Sequence, residues 1–263
     1  MAYTTIDKSS LHFNTKLYSG NNSTNAITGV GFQPDLVWLK PRDSADHHRL
    51  VDSVRGLYQL SSNQNNAQSS AGSNFASFDT DGFTLGGSDS GWNGSSNTYV
   101  SWNWKAGTTG SGSTTGSGTS KTYNYSVNTT AGFSIIKYTG NGTGGHTIPH
   151  HLGVTPEFII VKNLDSTIDW RTFHKDVPNA NTRAIRLNSS DYWNTDSSWW
   201  NNTSPSSSVF TVGSSTAMNG DGTSYIAYCF VSKVGYQKIG TYAGNGSSSS
   251  PPFIYTGFKP SFI

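Results

Sequence analysis

One strand is written three times in this chain: GFQPDLVWLK at residues 31–40, GVTPEFIIVK at 153–162 and GFKPSFI at 257–263. Ahead of each copy stands a second motif, an aromatic strand end followed by a Gly-Asn turn: LYSGNN at 17–22, KYTGNG at 137–142 and TYAGNG at 241–246. After the first two copies come FTLGG (83–87) and FTVGS (210–214), then TYVSWNW (98–104) and SYIAYCF (224–230), in the same order. Self-similarity on this scale decides how many times a core is built before any single strand is assigned. It divides the chain into a first unit at 1–106, a Gly/Ser/Thr stretch at 107–120 that reads as a flexible linker, a second unit at 121–234, and the start of an incomplete third unit at 235–263. That last piece is expected to hold a first strand, a loop and the opening of a second strand, too little to enclose a core of its own.

The type of core follows from composition. Only 33% of residues are apolar and 12% are charged, while aromatics stand at 13%. Disordered chains lack that aromatic content, and the remainder, rich in Gly, Ser, Thr and Asn, suits short strands with tight turns and polar outer faces. PDLVWLK and EFIIVK are short continuous apolar runs opened by Pro, as expected for central strands covered on both faces. Residues 47–60 (HHRLVDSVRGLYQL) read as a short surface helix or an irregular strand. The expectation is an all-β chain of tandem β-sandwich units, jelly-roll or concanavalin-like.

A formal net charge of +2 with no basic run offers nothing to neutralise a row of phosphates or to hold an anionic membrane surface. Nucleic acid is therefore not expected as a partner, and because no apolar run approaches membrane-spanning length, membrane insertion is not expected either. The single cysteine, Cys229, has no mate for an internal disulfide and reads as a small buried hydrophobe. The opening MAYTTIDKSS has neither the basic head nor the apolar stretch of a secretory signal, so synthesis in a cytoplasm is expected.

The segments WRTFHKDV, AIRLNSSDYWN, WWNNTSPSSSVFTVG, SYIAYCF and GYQKIGTYAGNG, with MAYTTIDKSS and GFQPDLVWLK, resemble repeat-bearing structural proteins of marine tailed bacteriophages, cyanophage-like and tail-fibre-like. The resemblance covers nearly all of the chain outside the linker. It implies a virion component built in the host cytoplasm, without a catalytic apparatus, that contacts other virion proteins of tail, neck or capsid. It also implies a homo-oligomer, trimeric if the protein is a fibre, with the first unit as the anchor to the particle. The first unit departs from the pattern in its middle, where SSNQNNAQSSAGSNFASFDTDGF lacks the Tyr-Trp-Asn segment.

Candidate chemistry is concentrated in DYWNTDSSWWNNTS, residues 191–204. Exposed aromatic faces beside amides hold sugar rings, which makes Tyr192, Trp193, Trp199, Trp200, Asn201 and Asn202 candidate ligands of a host-surface glycan. The competing reading buries Trp193 and Trp199 in the sandwich or in a neighbouring contact and leaves Asn201 and Asn202 to a turn. The histidines at 47–48, 146, 150–151 and 174 have no zinc-like spacing, and DTDGF (79–83) and NGDGTSY (219–225) read as turns rather than calcium loops. No metal or cofactor is expected. No acidic pair, nucleophile elbow or phosphate loop marks an enzyme. The expected role is adhesive and structural, a tail fibre or other appendage; the alternatives are a capsid decoration or cement protein and a lectin-like carbohydrate-binding module.

Overall fold

The computed structural model describes residues 4–263 and is almost entirely β. A large sheet built from the first unit takes the strand order Phe13–Ser19, Thr98–Trp104, Leu36–Pro41, Arg49–Asp52, Gly56–Leu60 and Ser69–Ser70; a small sheet of Asn25–Ile27, Gly82–Leu85 and Phe75–Asp79 accompanies it. The second large sheet takes the order Thr108–Ser113, Thr122–Asn128, Phe133–Thr139, Ser224–Phe230, Phe158–Asn163 and Arg171–His174, with Thr115–Gly116, His146–Pro149 and Val209–Val212 as its small companion. The strands that share a sequence motif occupy the same places in the two large sheets, and all pairs are antiparallel. Residues 47–60, left open between helix and strand, form a hairpin whose corner is Gly56 at φ +75°, a backbone conformation that favours glycine.

Each copy is closed at one end by the same polar clasp. Tyr18 stacks on Tyr99 with ring centres 4.8 Å apart, and Tyr138 on Tyr225 at 5.1 Å. The Tyr99 and Tyr225 hydroxyls accept from the Gly94 and Gly220 N–H groups, both at 2.7 Å. The Asn93 side chain accepts from the Asn21 N–H and donates to the Asn21 side-chain carbonyl; Asn219 does the same to Asn141. Gly20 and Gly140 sit so close to the facing turn that a Cβ would lie 2.1 Å from the Gly94 carbonyl and 2.4 Å from that of Gly220. The Gly-Asn turn recurs because only glycine admits that approach.

The central strands bury both faces, as their continuous apolar runs require. Val37, Leu39 and Val51 join Phe75, Phe83, Leu85 and Trp92 in a core between the first large sheet and its small companion. Ile136, Tyr138, Ile159, Val161, Ala227 and the buried Cys229 build the corresponding core of the second unit. The opposite faces meet each other: Leu36, Leu50, Leu60 and Trp104 pack with Phe133, Ile135, Ile160, Leu164, Trp170, Ile226 and Tyr228 in a third core shared by both units. Polar links cross it, with the Tyr228 hydroxyl donating to Asp52 at 2.7 Å and the Trp170 indole N–H donating to the Ser61 and Gln64 carbonyls at 3.2 and 2.9 Å.

Two expectations are corrected here. Residues 107–120 are not a flexible linker: Thr108–Ser113 pairs over six residues with Thr122–Asn128, Thr115–Gly116 pairs with the His146–Pro149 strand, and Thr114 is buried. The glycines explain why such a low-complexity run is ordered. Gly110 and Gly112 lie beneath Tyr125 and Tyr123, where a Cβ would come within 2.7 Å of the phenol oxygen, so each aromatic covers the strand at the position that has no side chain. With strands in that segment and a shared core, the second unit does not reorient freely against the first. Residues 235–263 form neither the first strand nor the opening of a second; within them lies half of one isolated bridge, Lys233 with Gln237. Instead Phe262 rests on Phe13, Trp38, Trp102 and Trp104, ring centres 5.3 to 6.4 Å away.

Candidate functional site

The structure separates the aromatic cluster predicted as a glycan site. Trp199 and Trp200 lie on the short helix Ser197–Trp200, capped by the Asp196 carboxylate, and both point into the second unit's core. Trp200 is 1% exposed and its indole N–H donates to the Arg183 carbonyl at 2.9 Å; Trp199 is covered by the Arg171 guanidinium 4.9 Å from its ring. Neither can stack on a sugar, because the apolar faces that would do so are spent on packing. Asn201 and Asn202 adopt φ +52°, a left-handed turn that ends the helix, and the Asn202 carbonyl accepts from the Asn181 side chain. Tyr192 and Trp193 remain outside, the former 87% exposed, with the Arg183 guanidinium 5.2 Å from the Trp193 ring. The burial expected for Trp193 under the competing reading does not occur, while that of Trp199 does.

A cavity lies elsewhere. A cleft of about 800 Å³ opens where the two units meet, lined among others by Phe32, Lys105, Thr109, Ser111, Asn124 and Tyr125. Asp35 sits at its base, buried, with all of its strong acceptors engaged: the Ser53 and Ser126 hydroxyls at 2.7 and 3.2 Å and the Ala106 N–H at 2.8 Å. That carboxylate fastens the first unit to the strand leading into the second. Tyr125 is held by a stack on His151, centres 3.7 Å apart and planes 14° from parallel. The cleft thus offers hydroxyl, amide and one ammonium group on fixed walls, a set able to bind a polar ligand. Sequence reasoning missed it because it treated 107–120 as linker; the alternation of Gly110 and Gly112 against Tyr123 and Tyr125 is the signal that would have found it.

The histidines are structural. His146 is fully buried, its Nδ1 3.0 Å from the Asn219 side-chain oxygen and its Nε2 2.6 Å from the Thr114 hydroxyl. It occupies the place that Asn25 holds in the first unit, where the Asn25 side chain donates to Asn93. His150 is also buried; its Nε2 donates to the Ser206 carbonyl and its Nδ1 accepts from the Leu152 N–H, so a second proton would displace a backbone bond. Burial pushes its pKa down to about 4 from an ordinary 6.5. The unfolded chain therefore binds more protons than the folded one between those values, and stability present above pH 6.5 is lost as pH falls towards 4. His150 alone accounts for about 3 kcal/mol of that loss. Urea melts at pH 7 and pH 4.5 are expected to show it, with a shallower pH slope in His150→Gln; equal slopes would remove His150 as the cause.

Among the described residues no three His, Cys, Asp or Glu side chains gather as a metal site requires, and no helix is long and apolar enough to cross a membrane. A family model described as "Domain of unknown function (DUF7483)" matches residues 8–263. No curated protein and no solved structure matches the chain.

Proposed function

Because this chain belongs to the DUF7483 family, whose function is unknown, we propose its role from its architecture: a non-enzymatic structural and adhesive component of a bacteriophage virion, most simply a tail fibre or other appendage. The observation that carries this reading is the core shared by the two repeats. It turns two β units into one stiff body, which is what a protein that transmits or presents contacts at a distance requires. The resemblance of WRTFHKDV, SYIAYCF and the neighbouring segments to tail-fibre-like phage proteins supports the same role. Other virion proteins and a host-surface glycan are the proposed partners. Of the aromatic cluster at 191–204, the rings free to meet a glycan are those of Tyr192 and Trp193. A single pair of rings binds a sugar weakly, so attachment would rest on several copies acting together in an oligomer, a trimer in the case of a fibre.

Gold-labelled antibody raised against the purified chain is expected to decorate the tail appendages of particles produced by a phage that encodes it. Label confined to the head would select a capsid decoration protein instead. Intact particles free of label, from cells that make the protein, would overturn a virion role.

A further inference from the structure

The second unit carries a hairpin that the first unit's fold does without. Arg183–Ala184 pairs with Asn194–Thr195 as a two-stranded sheet, and among the described residues the first unit closes its large and small sheets with no such pair. The hairpin is firmly seated. Ile185 exchanges two backbone hydrogen bonds with Thr172 on the last strand of the second large sheet, Ala184 is buried in the core, and the Arg183 carbonyl receives the Trp200 indole N–H at 2.9 Å. Its loop is braced as well: the Arg186 guanidinium donates to Asp191 at 2.9 Å and lies 3.5 Å from Asp169, which stands outside the hairpin.

This frame holds out an aromatic corner beside a cation. Tyr192 and Trp193 stand edge to face, ring centres 6.4 Å apart and planes 81° from parallel, and both are exposed. The Arg183 guanidinium lies 5.2 Å from the centre of the Trp193 ring. Its Nη1 donates to the Pro178 carbonyl at 2.7 Å and its Nε reaches the Thr195 hydroxyl at 3.4 Å; among the described residues its Nη2 has no partner and no carboxylate lies within ion-pair distance. The neighbouring arginines are paired, Arg186 with Asp169 and Asp191, and Arg171 with Asp169 at 3.9 Å. Asp191, next to Tyr192, is thereby neutralised, and the Asp196 carboxylate is engaged in capping the helix that follows. An open guanidinium nitrogen beside exposed ring faces suits a ligand with one apolar face and one anionic substituent.

We infer that the corner formed by Tyr192, Trp193 and Arg183 selects acidic sugars, pyranoses that carry a ring carboxylate as uronic acids do. The inference rests on the reading of Tyr192 and Trp193 as glycan ligands and adds which class of glycan they take. The C–H face of the sugar would lie on the Tyr192 ring, and its carboxylate would accept from Arg183 Nη2. Stacking alone treats acidic and neutral sugars alike. The charge-assisted bond is what separates them.

Tetramers of β-1,4-linked mannuronic acid and of β-1,4-linked mannose differ at C6 alone, carboxylate against hydroxymethyl. Each is titrated into the full chain while the Trp193 indole N–H resonance, identified by its loss in Trp193→Ala, is followed by NMR. The uronate is expected to bind about tenfold more tightly at low salt, an advantage that shrinks as salt screens the charge. Arg183→Gln should bring the two tetramers to equal affinity, and Arg183→Lys, which keeps the charge, should retain part of the preference. Trp193→Ala should bind neither tetramer while melting with the parent. Equal binding of both tetramers by the parent, or a preference unchanged in Arg183→Gln, would overturn the acidic-sugar inference and leave the glycan reading standing. Binding of neither would overturn both readings of this corner. Preference for an oligoglutamate peptide over both tetramers would overturn the choice of ligand in favour of an acidic peptide.

Discussion

Trp170→Ala is expected to lower the stability of the whole chain by about 4 kcal/mol. Trp170 is fully buried within the core shared by the two units, so its removal leaves a large cavity between sheets that are held by neighbours on both sides. It also strips the donor from the Ser61 and Gln64 carbonyls of the first unit, which adds a polar cost to the apolar one. The measurement is urea denaturation followed by circular dichroism. The parent should unfold in one transition, because neither half can open without exposing the face it lends to the other. The variant should shift its midpoint well down or resolve into two steps. Trp193→Ala, at an exposed ring, is the control and should stay within about 0.5 kcal/mol of the parent. A loss at Trp170 below about 1 kcal/mol would show that the shared core does not couple the units.

Asn219→Ala should be nearly as damaging, at about 3 to 4 kcal/mol, though it removes few atoms. The Asn219 side chain is fully buried and makes five hydrogen bonds. Its oxygen accepts from the Asn141 N–H and faces His146 Nδ1; its nitrogen donates to the Gly213 and Thr143 carbonyls and, at 3.3 Å, to the Asn141 side chain. Alanine leaves several of these groups buried and unpaired. The same change at Asn93 should cost distinctly less, since the Asn21 turn it clasps is open to water whereas Asn141 is buried. Thermal melts of the two variants test the ranking, and equal losses would mean that burial of the turn does not set the energy of the clasp.

Much of the architecture was legible because the chain states it more than once. The continuous apolar runs LVWLK and FIIVK, the Pro ahead of them and the recurrence of the Gly-Asn turn predicted central strands in equivalent places. The clasp itself could not be read. Asn93 and Asn219 look like ordinary turn residues, and only the fold brings them against Asn21 and Asn141, more than seventy residues away in sequence. The tryptophan pair at 199–200 was ambiguous for a related reason: a Trp-Trp-Asn-Asn string has the same composition whether the rings face a ligand or a core, and the cap at Asp196 turns them inward. The segment at 107–120 misled because Gly and Ser carry little side-chain information, and its order is imposed by tyrosines on the adjacent strand.

Strands with two buried faces also constrain how such a gene can change. In most arrays of domains a copy can be lost or gained at a joint with little harm, since each copy keeps its outside polar. Here Leu36, Leu50 and Trp104 on one side, and Ile135, Ile160 and Ile226 on the other, are outer surfaces only in name. Deletion of either half would bare a broad greasy wall on the survivor, so shortening in evolution must proceed by whole face-to-face pairs or be accompanied by a polar rewrite of every second position along those strands.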